Sequence, residues 1–369
     1  MFQINPVTIE QIASDKHIDA AFVDLCRRYK DKGDNHDSWH LRFHWEKLKP
    51  QIQQKLLSGD YLFSPCRSVK INDHSIGIWG AEDTLVIKVL SNLLGELILP
   101  ELSKECAHIK GNGGLKKAVM RAKNSSSQYQ YVLKSDVKSY YASMKHSLIL
   151  KQFKCFIDDE KILHLLRQFL NHLDDVDGEL FECTQGIGKG SSLSPLISAM
   201  YLHALDCELA SYAKRIGGIY IRYVDDWLLL CHKRWHLRKA VKKMNQVLVA
   251  LRVTKAEKKT FIGRTDRGYD WLGYRIEPVQ TGSDDTPPDR ELSDKTIPET
   301  DNKPDLYLTA HSKIGGSQSG VVVGKSVFRL VVNKTCLDNH FNKFCRLYEQ
   351  GASREVLAVY VKRWLVWAR

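Results

Sequence analysis

The chain has 369 residues, 43% of them hydrophobic, which is enough for two or three packed subdomains and excludes wholesale disorder. Lys and Arg number 55 against 43 Asp and Glu, and the net charge of +12 favours a polyanionic partner, with a merely basic soluble protein as the alternative. Nine cysteines is an odd count with no Cys-x-x-Cys pair, which argues against a disulfide framework and a zinc ribbon and for reduced thiols in a cytoplasmic protein.

The N-terminal stretch lacks a basic-then-apolar signal pattern, and no apolar run approaches the roughly 20 residues of a membrane helix, so no membrane partner is expected. Residues 9–54 carry apolar side chains at three- and four-residue spacing and read as helical, with Gly59 as the stop. His36, His40 and His44 are four apart and would share a helical face. No carboxylate stands at the spacing a metal site needs, so a basic or solvated stripe is the better reading. Residues 61–71 have strand-like composition and offer Arg67 and Lys70 as cations. A second strand then leads into a buried helix, bearing Lys88, that ends before Pro100. His108 to Asn124 is glycine-rich and then basic. Its glycines would let backbone approach a phosphate ringed by Lys110, Lys116, Lys117, Arg121 and Lys123. A flexible loop with a solvated helix face is the alternative.

Tyr131 to Met144 reads as an alternating strand that carries Asp136 and leads to Tyr140 and Tyr141; a helical span follows from about His146 to His172. Gly186, Gly188, Gly190 and Ser191 precede Ser194-Pro195, which fits a loop laid against a ligand before a helix start. In IRYVDDWLLLC, Ile221 to Cys231, two apolar runs flank Asp225 and Asp226, as in two strands joined across a tight turn. Such a hairpin pushes out two carboxylates, and desolvated carboxylates need a counter-charge. A hard divalent cation such as magnesium suits oxygen ligands, whereas an isolated Asp pair would more often be an ordinary solvated turn. A basic helix (233–252) and a further strand pair bearing Lys258 and Lys259 come next. Residues 277–305 hold five of the ten prolines and nine acidic against three basic side chains, so this linker or flap carries −6 and the rest of the chain +18. The remainder reads as two or three helices with basic faces.

Asp136 on one strand, a glycine-rich loop and a YVDD hairpin are the parts that bring carboxylates from separate strands to a two-metal phosphoryl centre. Their order, together with DVKSYY, GSSLSPL and WLGY, resembles the reverse transcriptase palm over about Leu56 to Tyr274. The likeness is closest to bacterial group II intron-like enzymes, in the stand-alone or defence-associated branch. It implies an α+β right-hand polymerase: a helical extension over 1–55, fingers over 56–130, and a palm of antiparallel sheet and helices over 131–276, with part of the fingers in 145–185. The acidic insert (277–305) and a helical thumb (306–369) complete it. The same resemblance implies that Asp136 and Asp225 ligate two Mg2+ ions, for which Mn2+ could substitute. The Val137 carbonyl would complete a metal shell, and Asp226 would support the second carboxylate or the primer end. Tyr141 falls where a ring would clash with a ribose 2′-hydroxyl, with Tyr140 as the neighbouring wall and core packing as the alternative for either. Lys189, Gly190 and Ser191 would lie under the templating pair, and Arg67, Lys70 or Lys88 would hold the triphosphate. Lys259 would protonate the leaving pyrophosphate. Trp271, Leu272, Gly273 and Tyr274 would support the primer end, with Lys110 and Lys116 on nucleic acid.

Two departures from the family pattern stand out. Lys189-Gly190 replaces the usual Gln-Gly, with Gln185 four residues too early, and Asp83 is followed by Thr84 where an arginine is usual. The expected function is an RNA-directed DNA polymerase that makes cDNA from dNTPs on a cognate non-coding RNA. With no nuclease-like Cys/His tail after the thumb region, antiphage defence is the expected role, and a homo-oligomer or partner protein is compatible with it. The alternatives are an untemplated or protein-primed DNA polymerase on the same fold, a retroelement mobility enzyme, and a catalytically silent, RNA-binding maturase-like protein. The complete carboxylate set argues against the last.

Overall fold

The computed structural model describes residues 7–71, 74–279 and 327–368. The Lys70 side chain, the acidic insert beyond residue 279 and the start of the thumb-like region lie outside the described residues. Helical periodicity at the start of the chain yields four helices, α1 (Ile9–Ile12), α2 (Asp15–Arg28), α3 (Asp37–Phe43) and α4 (Trp45–Ser58). Gly59 stops α4 with a φ of +89°, a left-handed conformation that glycine adopts without a side-chain clash. The three histidines do not form one stripe: His36 caps α3, its ring accepting the Ser38 N–H, and His44 ends it.

Strands β1 (Cys66–Ile71) and β2 (His74–Ile78) pair antiparallel and lead into α5 (Ala81–Ile98). That helix is apolar on most sides and buries Leu85, Leu90 and Leu94 completely, as a central helix should. Asp83 in its first turn is also buried, accepting from the Tyr61 hydroxyl at 2.8 Å and the Ser64 N–H at 3.1 Å. Then come α6 (Gly114–Ser126), β3 (Tyr131–Asp136), α7 (Tyr140–Ser143), α8 (His146–Phe153) and α9 (Glu160–Leu170). The single helix expected over 146–172 is therefore two. Asp159 starts the second, its carboxylate accepting the Lys161 and Ile162 N–H groups and so satisfying donors that a helix start leaves open. Strands β4 (Leu173–Val176) and β5 (Glu179–Glu182) complete a sheet of order β2-β1-β4-β5, in which β1 and β4 run parallel.

Helices α10 (Ser194–Tyr201) and α11 (His203–Arg215) precede the hairpin of β6 (Ile219–Tyr223) and β7 (Asp226–Cys231), which is followed by α12 (Arg234–Ala250) and β8 (Phe261–Arg264). Here the sheet order is β6-β7-β3-β8, with every pair antiparallel. Both of its faces are covered. Leu133, Tyr220 and Leu229 belong to the large core that includes α11 and α12, whereas Val132, Ile221 and Leu228 belong to a second core with α6. Double coverage explains why the β6–β7 hairpin reads as two apolar runs rather than strict alternation.

Strands β9 (Tyr269–Trp271), β10 (Tyr274–Pro278) and β11 (Phe328–Val332) form a third sheet of order β11-β10-β9, and α13 (Lys334–Glu349) and α14 (Arg354–Ala368) end the chain. The all-helical reading of the C-terminal stretch fails at β11. FRLVV carries branched side chains, and it pairs along β10 from Tyr274↔Val332 to Pro278↔Phe328. All nine cysteines are free, and among the described residues no helix is long and apolar enough to cross a membrane.

Candidate active site

Register brings the acids together. Asp136 ends β3 directly opposite Asp226, the first residue of β7, and Asp226 also faces Tyr223 across the hairpin. The turn is therefore two residues, Val224 and Asp225. Val224 has a φ of +56°, a conformation that a β-branched residue adopts only under strain, at a cost of about 1–3 kcal/mol. Two side chains, one of them fully buried, hold it there. His108 Nδ1 accepts the Val224 N–H at 2.9 Å, and the Arg222 guanidinium donates to the Val224 carbonyl at 2.6 Å. Arg222 is fully buried, and its Nε also donates to Asp206 at 2.6 Å. Burial pushes His108 down to about 4, so the ring is neutral and its Nδ1 is free to accept. Sequence reasoning missed both supports. The signal for Arg222 was a charged residue inside the apolar run IYIRYV, which is rarely buried unless paired; His108 had none.

Three carboxylates now share one desolvated corner. Burial, reinforced by Asp136, pushes Asp225 up to about 6. Burial pushes Asp226 up to about 7, against the pull of Lys134, while the Trp271 Nε1–H donates to Asp226 Oδ1 at 2.9 Å. Lys259 Nζ lies 2.7 Å from Asp136 Oδ2, which raises the lysine above its ordinary value. The other oxygen, Asp136 Oδ1, is buried with no hydrogen-bond partner. An orphaned carboxylate oxygen beside two carboxylates that resist ionisation is a set of hard donors whose charge Lys259 and Lys134 only partly offset. It fits divalent cations of the magnesium class. The Val137 carbonyl is available to the same corner. In its bridge to Lys255 the ladder bonds run from Ala256 N–H to Asp136 and from Lys138 N–H to Thr254, so Val137 points its own polar groups elsewhere.

A cavity of about 780 Å³ opens in front of this corner, and Asp136, Asp225, Lys259, Tyr141, Lys189 and Gln185 line it. Tyr141 is half-buried, with Lys189 Nζ 5.9 Å from its ring centroid. Tyr140 reaches the cavity too, but it is buried and its hydroxyl donates to the Ser198 carbonyl at 2.6 Å. Gly190, with a φ of +104°, and Ser191 form the turn beyond Lys189, where the Ser191 hydroxyl accepts the Ser194 N–H at 3.2 Å. Trp271 is buried behind Asp226, and Leu272 (φ +49°) and Gly273 (φ +85°) make the tight turn between β9 and β10. Tyr274 stacks on Trp367 of α14, ring centroids 5.2 Å apart.

Other cations expected near the triphosphate are not gathered here. Arg67 is exposed on β1, whose alternate residues Cys66 and Ser68 line the cavity, so it sits on the opposite face. Lys88 pairs with Asp24 of α2 at 3.5 Å, because it lies on the face of α5 turned to that helix. Lys110 is exposed in the loop before α6, and Lys116 donates to the Val366 carbonyl at 2.7 Å.

A family model described as reverse transcriptase (RNA-dependent DNA polymerase) matches residues 78–276, more than half of the chain. Among curated proteins, the COX1/OXI3 intron 1 protein of Saccharomyces cerevisiae is 21% identical over 169 residues, covering 44% of this chain and 20% of that protein. A 91 kDa protein in the cob intron of Schizosaccharomyces pombe is 24% identical over 161 residues, covering 42% of this chain and 20% of that protein. The chain thus spans about a fifth of the length of these relatives. The matched segment contains all three carboxylates, the Lys189 loop and the Trp271 turn, and its mixed helices and sheets are those of a right-hand polymerase. This chain belongs to the reverse transcriptase family, whose members are RNA-directed DNA polymerases and hence nucleotidyltransferases.

Proposed function

We propose that this chain is itself an RNA-directed DNA polymerase that extends a DNA primer on an RNA template by nucleotidyl transfer from dNTPs. The observation that carries the reading is the convergence of Asp136 and Asp225 on the cavity wall, with Asp226 directly opposite Asp136 behind them and Asp136 Oδ1 left without a partner. Asp136 and Asp225, with the Val137 carbonyl, would hold two Mg2+ ions, and Asp226 would support that set through its bond to Trp271. Bound there, the cations would lower the pKa of the primer 3′-hydroxyl and offset triphosphate charge. Lys259, which pairs with Asp136, would give a proton to the departing pyrophosphate. Lys189, in the cavity wall, is a better triphosphate cation than Arg67 or Lys88. The half-buried Tyr141 ring would clash with a ribose 2′-hydroxyl and so favour dNTPs.

In this reading the β6-β7-β3-β8 sheet with α11 and α12 is the palm, the β2-β1-β4-β5 sheet with α5 the fingers, and α13 and α14 the thumb. The two relatives are named for the introns that carry them, which supports copying of the RNA of a mobile element. Defence through cDNA made on a partner non-coding RNA would use the same chemistry, in the cytoplasm of a bacterium.

The test is labelled-dNTP incorporation on a primed RNA of known sequence with Mg2+, comparing wild type with Asp225→Asn, followed by product sequencing. Complementary cDNA from wild type alone supports the proposal. Product without complementarity to the RNA would favour untemplated synthesis, for which the Lys189 position is the motivating departure. RNA binding with no incorporation by either protein would overturn the polymerase reading. Sequencing the RNA that copurifies separates an element transcript from a non-coding partner.

A further inference from the structure

Three segments that the polymerase chemistry leaves unused meet on one face of the β2-β1-β4-β5 sheet. Cys66 of β1 pairs with Asp174 of β4, His172 lies two residues before Asp174, and the Cys183 N–H donates to the His172 carbonyl at 2.9 Å. Alternation along the strands therefore turns all four side chains to the same side, and all four line the cavity. The donor atoms of Cys66, His172 and Asp174 all lie within 4.8 Å of one another. Burial above all, with smaller pushes from Asp174 and Cys183, raises the Cys66 thiol, and burial followed by Asp174 raises Cys183.

The histidine is set up as a ligand. Its Nδ1 lies 2.9 Å from the Phe169 carbonyl, which can only accept, so Nδ1 carries a proton. That leaves the Nε2 lone pair aimed at Asp174 Oδ1, 3.2 Å away. Two acceptors face each other, and only a second proton or a cation between them removes the repulsion. A ring N–H held by a backbone carbonyl is the usual way a zinc-binding imidazole is oriented. Space for the sulfur is kept by Gly77, where an added Cβ would lie 2.8 Å from Cys66 Sγ.

We propose that Cys66, His172, Asp174 and Cys183 form a zinc site. Two thiolates with an imidazole and a carboxylate are a borderline-soft, four-donor set, which selects zinc over magnesium or calcium. Donors at about 2.0–2.3 Å from a tetrahedral zinc sit roughly 3.3–3.8 Å apart, so Cys66, His172 and Asp174, within 4.8 Å of one another, need to close by about 1–1.5 Å at most, and Cys183, outside that group of three, swings in from the same face to complete the set. All four positions go to protein, as in structural sites. The ion would staple β1 to the β4–β5 hairpin, whose parallel join to β1 rests on two residue pairs, Cys66↔Asp174 and Arg67↔Asp175. It would thereby fix one wall of the cavity without touching the reacting atoms.

The full chain, stripped with chelator and reductant, is titrated with zinc sulfate and, separately, with cobalt chloride. One tightly held zinc per chain, a thiolate-to-cobalt charge-transfer band and no displacement by excess Mg2+ are expected. Cys66→Ser and Cys183→Ser should each weaken zinc binding by more than about 100-fold, beyond the loss of an outer contact. Asp136→Asn with Asp225→Asn should leave it unchanged. Should Cys66→Ser fail to fold, the half-exposed Cys183→Ser and the wild-type cobalt spectrum decide. A wild-type protein that retains no zinc and gives no cobalt–thiolate band overturns the proposal. So does zinc that survives in both cysteine variants, or a Cys66–Cys183 disulfide in place of bound metal.

Discussion

Two tight hairpins meet at the active corner, and they are built in opposite ways. The Leu272–Gly273 turn carries positive φ at both central residues, as the favoured two-residue hairpin does, and glycine takes the second at no cost, leaving only Leu272 out of its ordinary range. The Val224–Asp225 turn puts a β-branched residue where glycine would be easiest, and it needs a half-buried neutral histidine and a fully buried arginine to stay there. The turn that uses a glycine supports; the turn without one carries a reacting carboxylate. Strain is accepted where the position of one side chain matters most, and the surrounding core over-determines that position. Trp271 joins the two hairpins through its bond to Asp226.

The comparison breaks most completely if the carboxylate itself goes. Asp225→Asn should lower nucleotide incorporation by at least about 100-fold, the scale of removing one preorganised electrostatic contact. The same change should raise the melting temperature of the metal-free protein, by roughly 2–4 °C for each kcal/mol of repulsion relieved. Incorporation and thermal unfolding, measured on one preparation, check both; a variant that loses activity and stability together would place Asp225 among structural groups.

Next in size is the support. Arg222→Met leaves Asp206 buried without its guanidinium and should cost about 3–5 kcal/mol in denaturant unfolding. If it costs under 1 kcal/mol, the Val224 turn is not held in the way described.

The pH dependence follows from the same corner. Asp225 and Asp226 have folded-state values raised to about 6 and about 7, so between the ordinary carboxylate range and pH 7 the folded chain binds more protons than the unfolded one. Their contribution to metal-free stability is thus fully present at low pH and lost as pH rises through about 6 to 7. Incorporation should run the other way, falling as pH drops below about 6 because Asp225, which would hold the cations, then takes up a proton. Metal-free melting curves and initial rates from pH 5.5 to 8.5 test the crossing; parallel trends would refute it.

The smallest effects sharpen the contrast between the turns. Val224→Gly relieves backbone strain but adds chain entropy, and should change stability by no more than about 1 kcal/mol. Gly273→Val forces a branched residue to a φ of +85° with Trp367 3.1 Å from the new Cβ, and should cost more than about 2 kcal/mol. Equal costs would mean that the two turns are not different in kind.

Much of the corner was legible in the sequence because its parts are local. Asp136 at a strand end, the YVDD hairpin and the glycines before Ser194 each announce themselves within a few residues. What pairs them is long-range register, and the cross-chain contacts therefore escaped. His108 reaches Val224 across 116 positions and Trp271 reaches Asp226 across 45. The free thiols were legible from an odd count with no Cys-x-x-Cys pair, but that pattern carries no sign of side chains that register brings to one face from β1 and both ends of the β4–β5 hairpin. FRLVV looked helical in the company of the helices that follow it, and only the free edge of β10 made it a strand. Two of the cations named for the triphosphate, Arg67 and Lys88, were chosen by charge and proximity in sequence. Strand alternation and the α2–α5 pairing send them elsewhere.

The sheet covered on both faces has a consequence for motion. Amides of β3 and β7 sit between two cores, so they should be among the last in the chain to exchange with deuterium, opening only when the whole unit does. The carboxylates are fastened to the slowest-breathing part of the molecule. Any opening and closing around a substrate must then come from the walls, while the acids keep still.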